Sequence, residues 1–407
     1  MKISRLVALS TLTLASLGAS AVHAEDVVRI GVGNDRSGAY SDLGGIGSEI
    51  AVRMAVEDFG GSVLDKKVEV IGGDNQSKVD IASAMVRRWF DTQNVVAFID
   101  GGASSTGLAS MHVAVEKGGS ALMTAGFASI FSGKECTTRS TQWAPDTHAL
   151  ANAVVSNMVK DGNDTWYSIT ADYVFGKNLE ASAEHFVEQN GGKVLGRIRY
   201  PFGSTEDYAS FLLQAQSSGA QVIGLASAGR DLVTLVKQAN DFGLTQSGQK
   251  LAAYLVFITD VLGMSQTDSQ GLRFVTPFYW DVDEGTRSWT RRWQEKTGFS
   301  HPPTMVHALG YAATAHYLKA VEAAGTFEGD AVNAKMRELP IDDTLIKNAH
   351  VRPEDGRVIM DMYEVEVKDP KDSQSPNDIY KIISTISGKN LFLPLSESEC
   401  PLVAKKQ

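Results

Sequence analysis

Three loops in the first third of the chain gather groups suited to holding a small organic anion. Asn34-Asp35-Arg36-Ser37-Gly38-Ala39-Tyr40-Ser41-Asp42-Leu43-Gly44-Gly45 is long and polar. Gly101-Gly102-Ala103-Ser104-Ser105-Thr106-Gly107 opens a helix and offers hydroxyls at Ser104, Ser105 and Thr106. Ala125-Gly126-Phe127-Ala128-Ser129 sets one aromatic ring among small residues, with backbone N–H groups exposed at Gly126 and Phe127. Hydroxyls and the orphan N–H groups of a helical first turn attract a carboxylate without any fixed positive charge. Phe127, Tyr173, Phe175, Tyr279 and Trp280 are candidate apolar walls. One polar end and aromatic sides suit an aromatic or otherwise hydrophobic carboxylic acid. Asp260, if it faced that pocket, would instead favour a cationic or hydroxyl-bearing group. Structural roles stand beside these: Ser104 or Ser105 can cap the helix it opens, and Tyr279 and Trp280 can pack a hinge.

Catalytic and cofactor patterns fit poorly. Gly31-Val32-Gly33-Asn34-Asp35-Arg36 lacks the third glycine of a dinucleotide fingerprint, and no Gly-Lys-Ser/Thr phosphate loop occurs. The run from Gly102 to Gly107 breaks the Gly-x-Ser-x-Gly spacing of a nucleophile elbow. The eight histidines form no His-Glu-x-x-His pair and the two cysteines no zinc spacing. The expectation is therefore a binding protein with no enzymatic activity, cofactor or metal. A secreted hydrolase and a chemosensory partner protein that hands its ligand to a membrane sensor are the alternatives.

The elements that must position these loops alternate. Strands are predicted at Val27–Val32, Val68–Gly72, Val95–Ile99 and Ala121–Thr124, separated by helices at Ser48–Phe59, Asp80–Thr92 and Ser105–Lys117. The rhythm restarts with a helix at Ala149–Asp161 and strands at Thr165–Thr170, Lys193–Tyr200, Val222–Ala226 and Leu251–Phe257, with helices at Gly176–Asn190, Tyr208–Ser218 and Arg230–Phe242 between them. This pattern predicts an α/β fold of two doubly wound parallel sheets. In such sheets ligands bind outside the carboxyl ends of the strands. The last third adds helices at Gly285–Thr297, Pro303–Gly325 and Asp330–Glu338, then strands at Val358–Lys368 and Tyr380–Ile386, so the chain is expected to cross between lobes about three times.

The amino terminus carries Lys2 and Arg5, an apolar run from Leu6 to Val22, and Val22-His23-Ala24 before an acidic pair. That order predicts a Sec-type signal peptide over 1–24 and export to the periplasm. Its removal takes the formal charge from −10 to −12, an acidic balance that argues against nucleic acid as a partner. In an oxidising compartment Cys136 and Cys400, the sole cysteines, are expected to be bridged.

Over about 26–404 the chain resembles the leucine/isoleucine/valine-binding family of type I periplasmic binding proteins of ABC importers. The resemblance rests on Ile30-Gly31-Val32 with Ser37-Gly38-Ala39-Tyr40, Ala51-Val52-Arg53-Met54-Ala55-Val56-Glu57-Asp58, Gly72-Gly73-Asp74-Asn75-Gln76, Asp172-Tyr173-Val174-Phe175-Gly176, Pro353-Glu354-Asp355-Gly356-Arg357 and Cys400-Pro401-Leu402-Val403. It implies two lobes on a three-strand hinge, one of 25–147 plus 278–350 and one of 148–277 plus 351–407, closing around a solute. It also implies a monomer that delivers a small carboxylate or amino acid to an inner-membrane permease. By position the family's ligand contacts fall on Ala103 to Thr106, on Gly126 to Ala128, on Phe175 and near Asp260; Ser227 and Thr259 complete the expected set. Ala103 and Ala128 stand where the family's amino-acid binders carry Ser and Thr. That departure, with Thr259-Asp260 and Tyr279-Trp280-Asp281, is similar to a branch that includes aromatic-acid binders. Branched-chain amino acids remain the alternative.

Overall fold

The computed structural model describes residues 27–403; the expected signal peptide, 1–24, lies outside them. The first sheet has six strands in the order Ser62–Val63, Lys66–Asp74, Val27–Asn34, Val95–Gly101, Ser120–Met123, Ser140–Gln142. All pair in parallel except the short Ser62–Val63 edge. Its central strand, Val27–Asn34, is covered on both faces. Gly31 is required there because a Cβ would lie 2.7 Å from the Trp89 ring of the helix Val79–Thr92. On the other face, Gly45–Asp58 packs against the 20-residue helix Met305–Ala324, which is apolar nearly all round and ends at Gly325 in the left-handed region. A helix of that composition is stable only inside a core.

The second sheet has four parallel strands in the order Lys250–Ala253, Val222–Ala226, Thr165–Ala171, Lys193–Tyr200. The predicted strand Leu251–Phe257 stops at Ala253; Tyr254 to Phe257 leave the ladder and lead into a helix, Ile258–Met264, that periodicity did not reveal. An apolar run of seven reads as one strand whether or not its second half is paired.

The returning strands do not extend that sheet. Arg273–Thr276, Met362–Val367 and Tyr380–Ile386 form a separate antiparallel three-stranded sheet. The alternation Met362-Tyr363-Glu364-Val365-Glu366-Val367 is that of a strand with one buried face, matching its place at the sheet's centre. Val351, Val358 and Met360, in a stretch expected with the second lobe, instead pack in the core of the first sheet. A single parallel bridge joins Arg357 to Gln142 beside them.

Arg357 has no exposed surface. Its guanidinium donates to the Trp143 and Val358 carbonyls, faces the Asp146 carboxylate at 3.9 Å and lies 4.6 Å from the Phe392 ring centroid. Burial lowers its pKa to about 10. Cys136 and Cys400 are disulfide-bonded, 264 residues apart in sequence.

Candidate functional site

In the first sheet the strand order reverses at Val27–Asn34, and in the second at Thr165–Ala171. Loops leaving the carboxyl ends at both reversals line a nearly collapsed cavity of about 20 Å³, room for roughly one water. The first sheet contributes Tyr40 and Leu43 after Val27–Asn34, Gly102 to Ser104 after Val95–Gly101, and Ala125 and Phe127 after Ser120–Met123. The second contributes Tyr173 and Phe175, Ala228, and Leu255 and Phe257, each following a different strand. Val306, in the first turn of Met305–Ala324, completes the wall. A wider, more open groove lies between Lys250–Ala253 and Arg273–Thr276. None of the three anion-suited loops borders it, so the smaller enclosed cavity is the better candidate.

The walls are aromatic. The Phe127 ring stands edge-on to Phe257 at 5.7 Å and to Phe175 at 6.3 Å. Tyr173 stacks on Phe202 at 4.1 Å, and its hydroxyl is hydrogen-bonded to that of Tyr40 across the cavity. Among the described residues, no charged side chain lines the space. Its polar character comes from tyrosine hydroxyls, from Ser104 and from backbone. Three helices start on lining residues with no side-chain cap: Ser104–Glu116 after Ala103, Val174–Gln189 after Tyr173, and Gly229–Asp241 after Ala228. The first-turn N–H groups of the first two give the cavity a partial positive charge, whereas at the third the Gly229 and Arg230 N–H groups are taken by Asp260 and the Ala39 carbonyl. Ser104 does not cap its helix. Its oxygen accepts from the Ala128 N–H at 3.3 Å, which leaves the hydroxyl proton available as a donor.

The sequence-expected residues separate into two groups. Ser104, Phe127, Tyr173 and Phe175 line the cavity. Ser105 follows on the same helix, half-buried and outside the lining. Thr106 turns back to donate to the Ala103 carbonyl at 2.8 Å. Gly126 and Ala128 face Gln142, whose amide donates to both carbonyls at 2.6 and 2.9 Å; they shape the Phe127 loop from behind. Ser227 pairs its hydroxyl with Tyr200 at 2.6 Å. Thr259 holds a buried hydroxyl with no hydrogen-bond partner among the described residues.

Asp260 is buried but does not line the cavity. Its carboxylate accepts the Phe257 N–H at 3.0 Å and the Gly229 N–H, serving the starts of two helices. Burial raises its pKa to about 7. Tyr279 and Trp280 also lie apart. Tyr279 packs 5.0 Å from Tyr380, and Trp280 donates to the Asn377 carbonyl at 2.9 Å, both between the antiparallel sheet and the residues before Met305. This is the packing role open to them in the sequence.

Tyr40, Leu43, Ala228, Leu255, Phe257 and Val306 join the site without having been singled out. Tyr40 was visible in a polar loop. Leu255 and Phe257 were hidden inside an apparent strand, and Ala228 carries no chemical signal.

A second buried acid lies behind the cavity. Asp231, in the first turn of Gly229–Asp241, is 6 % exposed, and burial raises its pKa to about 6. Gly229 itself has a φ of +61°, and a Cβ there would come within 2.9 Å of the Tyr40 ring and 3.0 Å of the Ala39 carbonyl. The neighbouring Arg230 N–H and guanidinium reach the Ala39 and Gly38 carbonyls, each at 3.4 Å. The loop carrying Tyr40 thus closes directly onto the second sheet's helix.

Similarity to known proteins agrees with this arrangement. A periplasmic binding protein family model matches residues 27–374. A solved periplasmic binding protein from Burkholderia mallei is 42 % identical, with a TM-score of 0.89 over 93 % of this chain and 99 % of that one. A branched chain amino acid ABC transporter periplasmic ligand-binding protein from Burkholderia xenovorans LB400 is 35 % identical, with a TM-score of 0.81 over 92 % and 99 %. Leu/Ile/Val-binding protein homolog 7 of Brucella abortus (strain 2308) is 26 % identical over 251 residues, or 59 % of this chain; the chain spans 62 % of that relative's length. With its two parallel sheets and the cavity between their carboxyl ends, the chain belongs to the periplasmic binding protein family.

Proposed function

We propose that the protein is a periplasmic solute-binding receptor of an ABC importer and captures a small hydrophobic or aromatic carboxylate between two closing lobes. The observation that carries this reading is the cavity itself: rings from both sheets form its walls, the uncapped starts of Ser104–Glu116 and Val174–Gln189 supply N–H donors, and no charged side chain among the described residues lines it. The carboxylate is assigned to Ser104 and the N–H groups beginning Ser104–Glu116, with Phe127, Phe175 and Phe257 against its apolar body. The receptor acts without a catalytic step and hands its ligand to an inner-membrane permease after export through the 1–24 signal. The lobes are 25–147 plus 278–350 and 148–277 plus 351–407, with the packing of Val351 to Met360 favouring a later final crossing.

The second reading, a branched-chain amino acid, is favoured by the Burkholderia xenovorans relative. It is disfavoured by the lack, among the described residues, of a lining acid for an α-ammonium group. A thermal-shift screen of ligand-stripped protein against amino acids, aromatic acids, fatty acids and amides, followed by calorimetry, separates the two. Aromatic acids are expected to stabilise the native state by mass action. Strong stabilisation by leucine or valine with none by any aromatic acid reverses the assignment.

A further inference from the structure

Gln142 ends the edge strand Ser140–Gln142, the last strand residue before the chain leaves the first sheet for the second. It is 1 % exposed and stands behind the cavity, outside its lining. Its amide is fully engaged. Nε2 donates to the Gly126 carbonyl at 2.6 Å and to the Ala128 carbonyl at 2.9 Å, while Oε1 accepts the Ser132 hydroxyl at 2.7 Å. The reversed orientation would set the amide oxygen against two carbonyl oxygens, so these partners fix which way it lies. A buried carbonyl left without a donor is costly, which ties the shape of the loop to this one side chain.

Both carbonyls lie in the loop that carries Phe127. A trans peptide points its N–H opposite to its C=O, so holding the Gly126 carbonyl on Gln142 turns the Phe127 N–H away from it. The second carbonyl belongs to Ala128, whose own N–H donates to Ser104 Oγ at 3.3 Å. That bond occupies one lone pair of the Ser104 oxygen and limits where the hydroxyl proton can point. Farther along, the Ser129 and Thr147 hydroxyls are hydrogen-bonded at 2.6 Å, and Thr147 opens the helix Thr147–Lys160, so the loop is held at both ends. The Gln142 N–H itself donates to the Gly356 carbonyl at 2.9 Å. The loop therefore takes its position from the strand where the chain crosses between sheets, through a single amide.

We propose that Gln142 is a positioning residue for ligand capture: its amide clamps the Phe127 loop and, through the Ala128 N–H, sets the Ser104 hydroxyl toward the polar end of the ligand. This rests on the reading of the cavity as the ligand site and deepens it. Gln142 touches no ligand. It holds Phe127 and Ser104 in the binding geometry before a ligand arrives, so less ordering is left to be done on binding.

The test begins with Gln142→Met, which keeps the length of the side chain and removes both donors. In the ligand-free protein, hydrogen exchange at the Ala128 amide should become at least about tenfold faster in this variant, with the helix Met305–Ala324 unchanged. Calorimetry then uses benzoate and leucine, taking whichever the wild type binds more tightly. Gln142→Met should weaken that probe about tenfold or more, and a double-mutant cycle with Ser104→Ala should be non-additive, the Gln142 effect falling to within about threefold once the hydroxyl is gone. Asn333→Leu removes another buried amide, one bonded to Ser120 and to the Gly329 carbonyl. It should lower the melting temperature while leaving probe affinity within about twofold, a contrast that a merely stabilising role for Gln142 would not produce. Should Gln142→Met fail to fold, Ser132→Ala frees the amide while keeping its donors and should show a smaller loss, about threefold, with the same non-additivity. Full additivity in the cycle, unchanged exchange at Ala128, or an affinity loss matched by Asn333→Leu overturns the proposal and leaves the cavity standing as the ligand site. Binding of neither probe by the wild type counts against the reading of the cavity, and exchange at Ala128, which needs no ligand, then decides the clamp.

Discussion

At Asp260 the sequence offered an acid near a binding site, and the structure gives it two backbone N–H groups to hold instead. Its folded pKa of about 7 stands above the roughly 3.9 of an unfolded aspartate. The folded state therefore binds the proton more tightly. The resulting penalty is absent below the unfolded pKa, builds as pH rises and is complete above about 7. Asp260→Asn keeps an oxygen to accept the N–H bonds but cannot ionise. Relative to wild type it should gain stability between pH 5 and pH 8, by up to about 3 kcal/mol, in paired urea titrations. A constant difference across that range would show that the carboxyl does not titrate there. Burial also works against the charge of Arg357, lowering its pKa to about 10, but that still leaves it protonated at neutral pH. Arg357→Ala takes the facing cation from the buried Asp146 carboxylate, which keeps the Ala149 N–H, and removes donors from two carbonyls. Denaturant unfolding should register a loss of about 3–5 kcal/mol.

Among elements, the turn from Ala226 to Gly229 decides how closely the two sheets approach. Its left-handed glycine admits the Tyr40 ring and the Ala39 carbonyl where a side chain would collide. Gly229→Val should leave each sheet folded but hold the cleft ajar. A ligand that stabilises the wild type should then bind at least about tenfold more weakly, and scattering should show the larger radius of gyration with and without it. Unchanged affinity would mean that closure does not use this contact. Most helices and parallel strands were legible because their apolar periodicity is set by burial on two faces. The loops at the strand ends were legible as polar, glycine-rich interruptions. What could not be read was direction. Whether Thr106 faces a ligand or its own helix, and whether Asp260 faces the cavity or the Phe257 N–H, depends on rotamers that local sequence does not fix. The third sheet was missed for a related reason: strands distant in sequence signal that they pair, but not with which edge.

For the whole molecule, two sheets and a third antiparallel one share a chain whose last described stretch is fastened by Cys136–Cys400. Titration of the unfolded, unreduced protein should find no free thiol. The Cys136→Ser, Cys400→Ser double variant should lose roughly 2–4 kcal/mol, because the bridge closes a very long loop in the unfolded chain. The same bridge also orders events in time. A chain made from its amino end presents Cys136 long before residue 400 exists, so a thiol waits through the appearance of 264 further positions before its partner arrives. Until then nothing covalent commits the protein to its final shape, and the oxidant that completes it acts as a timekeeper, sealing a chain only when its far end has come through.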